Sequence, residues 1–125
     1  MKVFVIDDDP VTLEVIRATL ESLGHEVVTL KSPIGAAATM MRERPDLALV
    51  DVQMPGLSGD DWLRLIREKK LLGKDLNVDF VLHSGLPAEE LEHLVKKTGA
   101  MGAIRKEGNP ASFAAAFRRI TERET

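Results

Sequence analysis

Two hydrophobic periodicities alternate along the chain. The segments "KVFVI" (2–6), "EVVTL" (26–30), "DLALV" (46–50), "VDFVLH" (78–83) and "MGAIR" (101–105) are short, apolar and mostly β-branched. They predict strands, and the near-continuous apolar ones suit a sheet buried on both faces. Between them, apolar residues recur at spacings of three and four. Leu13, Ile16, Leu20 and Leu23 form one such stripe, followed by Gly24 where a helix C-terminal glycine belongs. Further helices are predicted over 33–43, 58–70, 87–98 and 110–122, the last with Phe113, Phe117 and Ile120 as its apolar stripe.

Two helix starts are marked chemically. Asp9-Pro10 and Asn109-Pro110 each offer an N-cap side chain followed by proline at the first helical position. Asp9 is therefore expected to act as a structural cap. Five strands alternating with five helices through short loops imply an α/β fold, a parallel five-stranded sheet covered on both sides as a three-layer sandwich. Right-handed crossovers leave few topologies, and the expected one is flavodoxin-like (βα)5 with strand order 2-1-3-4-5. No internal repeat, linker or low-complexity stretch interrupts the pattern, so residues 1–125 are expected to form a single domain.

Composition narrows the partners. Lys and Arg total 17 against 20 Asp and Glu, a formal net charge of −3. That balance argues against direct nucleic-acid binding and against a polybasic membrane surface. There is no cysteine, which excludes disulfides and thiolate metal sites. No apolar run approaches the ~18 residues of a membrane-spanning helix, and no signal peptide opens the chain. A cytoplasmic domain is expected.

In open parallel sheets the functional groups gather beyond the carboxyl ends of the strands. Asp7 and Asp8 follow the first strand, Asp51 the third, Ser84 the fourth and Lys106 the fifth. The second strand ends in "TLKSP", which adds nothing obvious. Carboxylates without histidine or thiol make a hard, oxygen-only site, better suited to Mg²⁺ than to zinc. Asp8 and Asp51 could supply carboxylates with a backbone carbonyl from the next loop, and Asp7 could orient a metal-bound water. The cation would remove the repulsion that makes "DDD" (7–9) look costly. A carboxylate beside such an ion can also act as a nucleophile toward phosphorus, with Lys106 and Ser84 engaging the phosphoryl oxygens.

These residues carry a family resemblance. The acidic pair after strand 1, the pattern D-x-x-M-P-x-x-x-G met by Asp51, Met54, Pro55 and Gly59, the Ser84-Gly85 pair and Lys106 fall in order and at family-like spacing. Over essentially its whole length the sequence resembles the receiver domain of two-component response regulators, of the chemotaxis-receiver type. The resemblance implies that Asp51 accepts phosphoryl from the phosphohistidine of a sensor histidine kinase or histidine phosphotransfer protein. It implies that Asp8, Asp51 and the Gln53 backbone carbonyl bind Mg²⁺ with Asp7 behind them, and that Ser84 and Lys106 contact the phosphoryl group. The product would switch binding to an effector protein, the domain catalysing nothing beyond its own phosphorylation and dephosphorylation. Two positions depart from the pattern. Glu107 stands where the family usually has proline, and Ala103 where it has a switching Tyr or Phe; the chain contains no tyrosine.

Three other functions compete. An aspartate-nucleophile phosphohydrolase typically needs a second acid two residues after the nucleophile, where this chain has Gln53. A flavin carrier would need a phosphate-cradling loop after strand 1, where acids repel an anion. A degenerate receiver acting as a phosphorylation-independent docking module is disfavoured by the complete acid, hydroxyl and lysine set. His83 is expected to point away from Ser84 by strand alternation, Trp62 to pack in a helix interface, and His25 and His93 to lie on the surface.

Overall fold

The computed structural model describes residues 1–54, 56–69, 77–106 and 109–122. Five strands alternate with five helices: β1 Lys2–Ile6, α1 Pro10–Ser22, β2 Glu26–Leu30, α2 Ala36–Glu43, β3 Leu47–Asp51, α3 Gly59–Lys69, β4 Asp79–Ser84, α4 Ala88–Thr98, β5 Gly102–Arg105 and α5 Pro110–Thr121. The strands form one parallel sheet in the expected order β2-β1-β3-β4-β5.

Alternation along each strand divides the core in two. Val3, Val5, Leu47 and Leu49 pack with Leu13, Ile16 and Leu20 of α1 and with Phe117 and Ile120 of α5. Phe4, Ile6, Ala48 and Val50 pack on the opposite face with Met40 of α2, Leu63 and Ile66 of α3 and Leu91 of α4. Both faces of β1 and β3 are thus dry, which explains their unbroken apolar runs. Trp62 is buried edge-on to Phe80, as helix packing requires. Met40 is buried in the core while Met41 is half exposed.

The helix termini follow the capping chemistry. Asp9 Oδ1 accepts from Val11 N at 3.1 Å and its Oδ2 from the Thr12 hydroxyl at 2.6 Å. Asn109 Oδ1 accepts from Ala111 N at 2.9 Å. Gly24, with φ 92°, takes the left-handed turn that ends α1. The second helix is shorter than its sequence pattern. Ser32 Oγ accepts from Ile34 N and Gly35 is left-handed at φ 77°, so the helix starts only at Ala36. The end of the helix expected over 58–70 lies outside the described residues.

Candidate functional site

The ends of β1, β3, β4 and β5 meet at one edge of the sheet, and the order of the strands makes them neighbours. Asp7 continues the β1–β2 ladder by donating its N–H to Leu30 O at 3.0 Å. Its carboxylate is 1 % exposed. Asp51 is the last paired residue of β3, opposite His83, with a carboxylate 2 % exposed. Sequence pattern placed it just past a strand at 46–50; the ladder runs one residue further, because Val52 N still donates to His83 O at 3.2 Å. Ser84 ends β4 and is fully buried, and its carbonyl accepts Lys106 N at 2.8 Å. That backbone bond delivers the lysine to the acids.

Lys106 Nζ stands 2.9 Å from Asp7 Oδ2 and 3.2 Å from Asp51 Oδ1. Asp7 Oδ1 accepts from Asp9 N at 2.9 Å, and Asp51 Oδ1 from Gln53 N at 3.1 Å. Asp7 Oδ2 is a buried oxygen whose close partner, among the described residues, is that ammonium. Asp8 is exposed, and carboxylate oxygens of Asp7, Asp8 and Asp51 all lie within 4.8 Å of one another. Three carboxylates converging at hard-donor spacing, one of them exposed, fit a small divalent cation. These three residues could hold a metal ion.

The "DDD" run is therefore three separate roles: Asp7 buried and paired, Asp8 exposed at the mouth, Asp9 capping α1. The electrostatics agree. Burial raises the Asp51 carboxyl to about 6; the Gln53 N–H opposes this, the Asp7 charge adds to it, and Lys106 draws it back. Burial also works against the Lys106 ammonium, yet its bonds to Asp7 and the charge of Asp51 outweigh that and raise its pKa. The Thr12 hydroxyl and the Val11 N–H hold Asp9 below the ordinary carboxylate range.

Gly59 explains the spacing of the motif around Asp51. A Cβ there would sit 2.0 Å from Asp51 O and 2.8 Å from Val50 Cγ1. Its N–H donates to Val52 O at 3.0 Å, so the first residue of α3 is seated directly on the backbone that carries the carboxylate. Pro55 and Glu107 lie outside the described residues.

The family model described as "Response regulator receiver domain" matches residues 3–118. The chain belongs to the receiver domains of response regulators. Among solved receivers it is similar to the chemotaxis response regulator CheY4 of Vibrio cholerae (25 % identity, TM-score 0.80, covering 95 % of this chain and 97 % of that one). It is also similar to the BeF3-activated N-terminal receiver domain of Klebsiella pneumoniae RstA (29 % identity, TM-score 0.78, covering 94 % and 96 %). Among curated relatives, the alkaline phosphatase synthesis transcriptional regulatory protein PhoP of Bacillus subtilis is 30 % identical over 96 residues, 71 % of this chain and 40 % of that protein. This chain spans less than half the length of the curated relatives it matches. Among the described residues no helix is long and apolar enough to cross a membrane.

The receiver's other notable side chains stand apart from the acids. His83 is buried with its ring edge-on to Phe113 of α5 at 5.5 Å, and burial, helped by the Lys106 charge, lowers its pKa to about 3. His93 is exposed. His25 is not simply a surface residue, since its ring packs on Phe117 and its Nδ1 lies 3.1 Å from the Met1 amine. One contact escaped the sequence reading: Arg105 Nε donates to Leu86 O at 3.0 Å. Its signal was there, because Arg105 shares a strand face with Ala103, the position of the missing aromatic.

Proposed function

We propose that the chain, one receiver domain over residues 1–125, takes a phosphoryl group on Asp51 from the phosphohistidine of a histidine kinase or phosphotransfer partner. The observation that carries this reading is the buried Asp51 carboxylate with one oxygen engaged and one open. Oδ1 faces Gln53 N and Lys106, while among the described residues no hydrogen bond falls on Oδ2. Oδ2 then attacks phosphorus, the new O–P bond forms as the P–N bond breaks, and the released imidazole takes its proton from solvent. Asp8, Asp51 and the Gln53 carbonyl would hold Mg²⁺, with Asp7 orienting a water on it, and the bound ion supplies positive charge to the phosphoryl oxygens. Lys106 pairs with a further phosphoryl oxygen, and the Ser84 hydroxyl donates to another. The added charge of about −1.5 to −2, by analogy with other phosphoresidues, is what a protein effector reads. We place this chemistry in the cytoplasm, with no nucleic-acid or membrane contact by the domain and no catalysis beyond its own phosphorylation and dephosphorylation.

Incubation with a small phosphodonor and Mg²⁺ should add one phosphoryl group, seen by intact mass and removed by hydroxylamine. A chain that stays unmodified while binding its partner would instead be a docking module.

The division of the acids gives a second test. Asp8→Ala should weaken Mg²⁺ binding and slow phosphorylation, since it deletes an exposed oxygen of the cation site. Asp9→Ala should lower the melting temperature through loss of the cap and leave phosphorylation nearly intact. Equal losses of Mg²⁺ affinity, measured by titration, would show the roles to be shared.

Lys106 gives a third. Lys106→Ala keeps the nucleophile and the metal donors, so phosphorylation should persist at a reduced rate. The conformational response should be blunted, because the ammonium no longer ties the residue after β5 to the phosphoryl group. Spectral changes on phosphorylation matching those of the wild type would remove that role.

A further inference from the structure

Leu86 is held at both its backbone ends. Its N–H donates to Ser84 Oγ at 3.1 Å, and its carbonyl accepts from Arg105 Nε at 3.0 Å. Its side chain packs, half-buried, on the core beneath α3 and α4. Arg105 therefore ties β5 to the β4–α4 loop at the very residue that the Ser84 hydroxyl grips. It can do so because Ala103 and Arg105 project from the same face of β5, and Ala103 offers only a methyl group there.

We propose that Arg105 is a positioning residue for Ser84: its bond to the Leu86 carbonyl holds the 84–88 loop in the resting arrangement and so sets how readily Ser84 engages a phosphoryl group. This rests on the reading of Asp51 as the phosphoacceptor. A side chain biases a two-state equilibrium only through a contact that differs between the states. This one does. If Ser84 Oγ moves toward Asp51 and carries Leu86 N with it, the Leu86 carbonyl leaves the guanidinium, so the Arg105 contact favours the resting loop. The aromatic whose rotation usually accompanies such a movement is absent, so the Arg105 contact is a side-chain tie between β5 and this loop that movement of Leu86 with Ser84 would strain. One exposed, charge-assisted hydrogen bond is worth a factor of about three to ten in the loop equilibrium.

The test compares the wild-type chain with Arg105→Ala and Arg105→Lys. The residue is exposed, so neither change disturbs the core. In the unmodified chain, amide exchange at Leu86 and Ala88 should become about three- to tenfold faster in both variants. Beryllofluoride with Mg²⁺, a phosphoryl mimic, should bind both variants tighter by about the same factor, while affinity for Mg²⁺ alone stays unchanged. Lysine keeps the charge and loses the guanidinium geometry, so it should follow alanine. Exchange and beryllofluoride affinity equal to wild type in Arg105→Ala would overturn the proposal. So would weaker beryllofluoride binding, or an Arg105→Lys chain matching wild type, which would assign the effect to charge alone. If the wild type itself fails to bind beryllofluoride, the Asp51 reading falls, and amide exchange still decides whether Arg105 holds the loop.

Discussion

Asp51→Asn is expected to abolish phosphoryl uptake and, at the same time, to make the protein more stable. The first effect follows from loss of the proposed nucleophilic oxygen. The second follows from proton linkage. The Asp51 carboxyl titrates at about 6 in the folded chain, against about 3.9 when unfolded. A raised carboxyl binds its proton more tightly in the native state, so its contribution to stability is fully present below pH ~4 and is lost as the pH rises through ~6. At pH 7–8 the folded protein therefore carries the cost of a buried charge that Lys106 only partly offsets. Asparagine never carries it. Allowing for solvent screening at the mouth of the site, the gain is about 1–2 kcal/mol at pH 7–8, shrinking to nothing below pH ~4. Denaturant titrations at the two ends of that range, with intact mass after phosphodonor treatment, check both halves. An Asp51→Asn chain that still takes up one acyl phosphate at the wild-type rate would move the nucleophile elsewhere.

Gly59→Ala should be the most damaging single-methyl change near the site. The added carbon would meet the Asp51 carbonyl oxygen at 2.0 Å and its carbon at 2.8 Å. Backbone in the middle of a parallel sheet cannot yield, so the start of α3 must lift away. Overpacking of this kind costs about 1–3 kcal/mol, with the upper end expected where backbone meets backbone. Because the displaced segment sits on the residue proposed to bear the reacting carboxylate, phosphorylation should slow as well, on the order of 10²-fold for a shift of about 1 Å. Gly85→Ala is the control. Nothing lies within 4 Å of a Cβ there, so the change should be neutral or stabilising, by up to about 1 kcal/mol. Thermal melts of the two variants should move in opposite directions or, at the least, differ by several degrees. Equal melts would mean that α3 accommodates the methyl.

The fold was legible because every local signal agreed. Strand runs, helical stripes and two Asx-Pro caps point to the same alternation, and a parallel sheet then leaves few orders for five strands. The placement of Asp7, Asp8, Asp51, Ser84 and Lys106 at one edge followed from that order alone. What could not be read was contact at atomic range. Adjacent aspartates look equivalent in a string, and only the structure separates Asp7 at 1 % exposure from Asp8 at the surface. Gly59 fits a motif, but the reason lies in a carbonyl eight residues earlier, brought against it by the turn between β3 and α3. The helix predicted over 33–43 starts only at Ala36, because Gly35 takes a left-handed conformation that pattern does not report. Arg105 was read as part of a strand, and its side chain proved to brace a neighbouring loop.

The seat of Asp51 on the sheet also constrains tempo. Its backbone belongs to the β3–β4 ladder, and the rung just beyond it, Val52 N to His83 O, is formed. Ladders in the centre of a sheet open only with large-scale unfolding, whereas surface loops relax in nanoseconds to microseconds. The proposed phosphoacceptor is thus anchored in the slowest-opening part of the molecule, while Ser84 and Leu86 lead directly into a surface loop, which re-equilibrates quickly. Arrival and loss of the phosphoryl group, not the rearrangement that follows, would then set the clock of the response, and the loop would report the state of Asp51 essentially without lag.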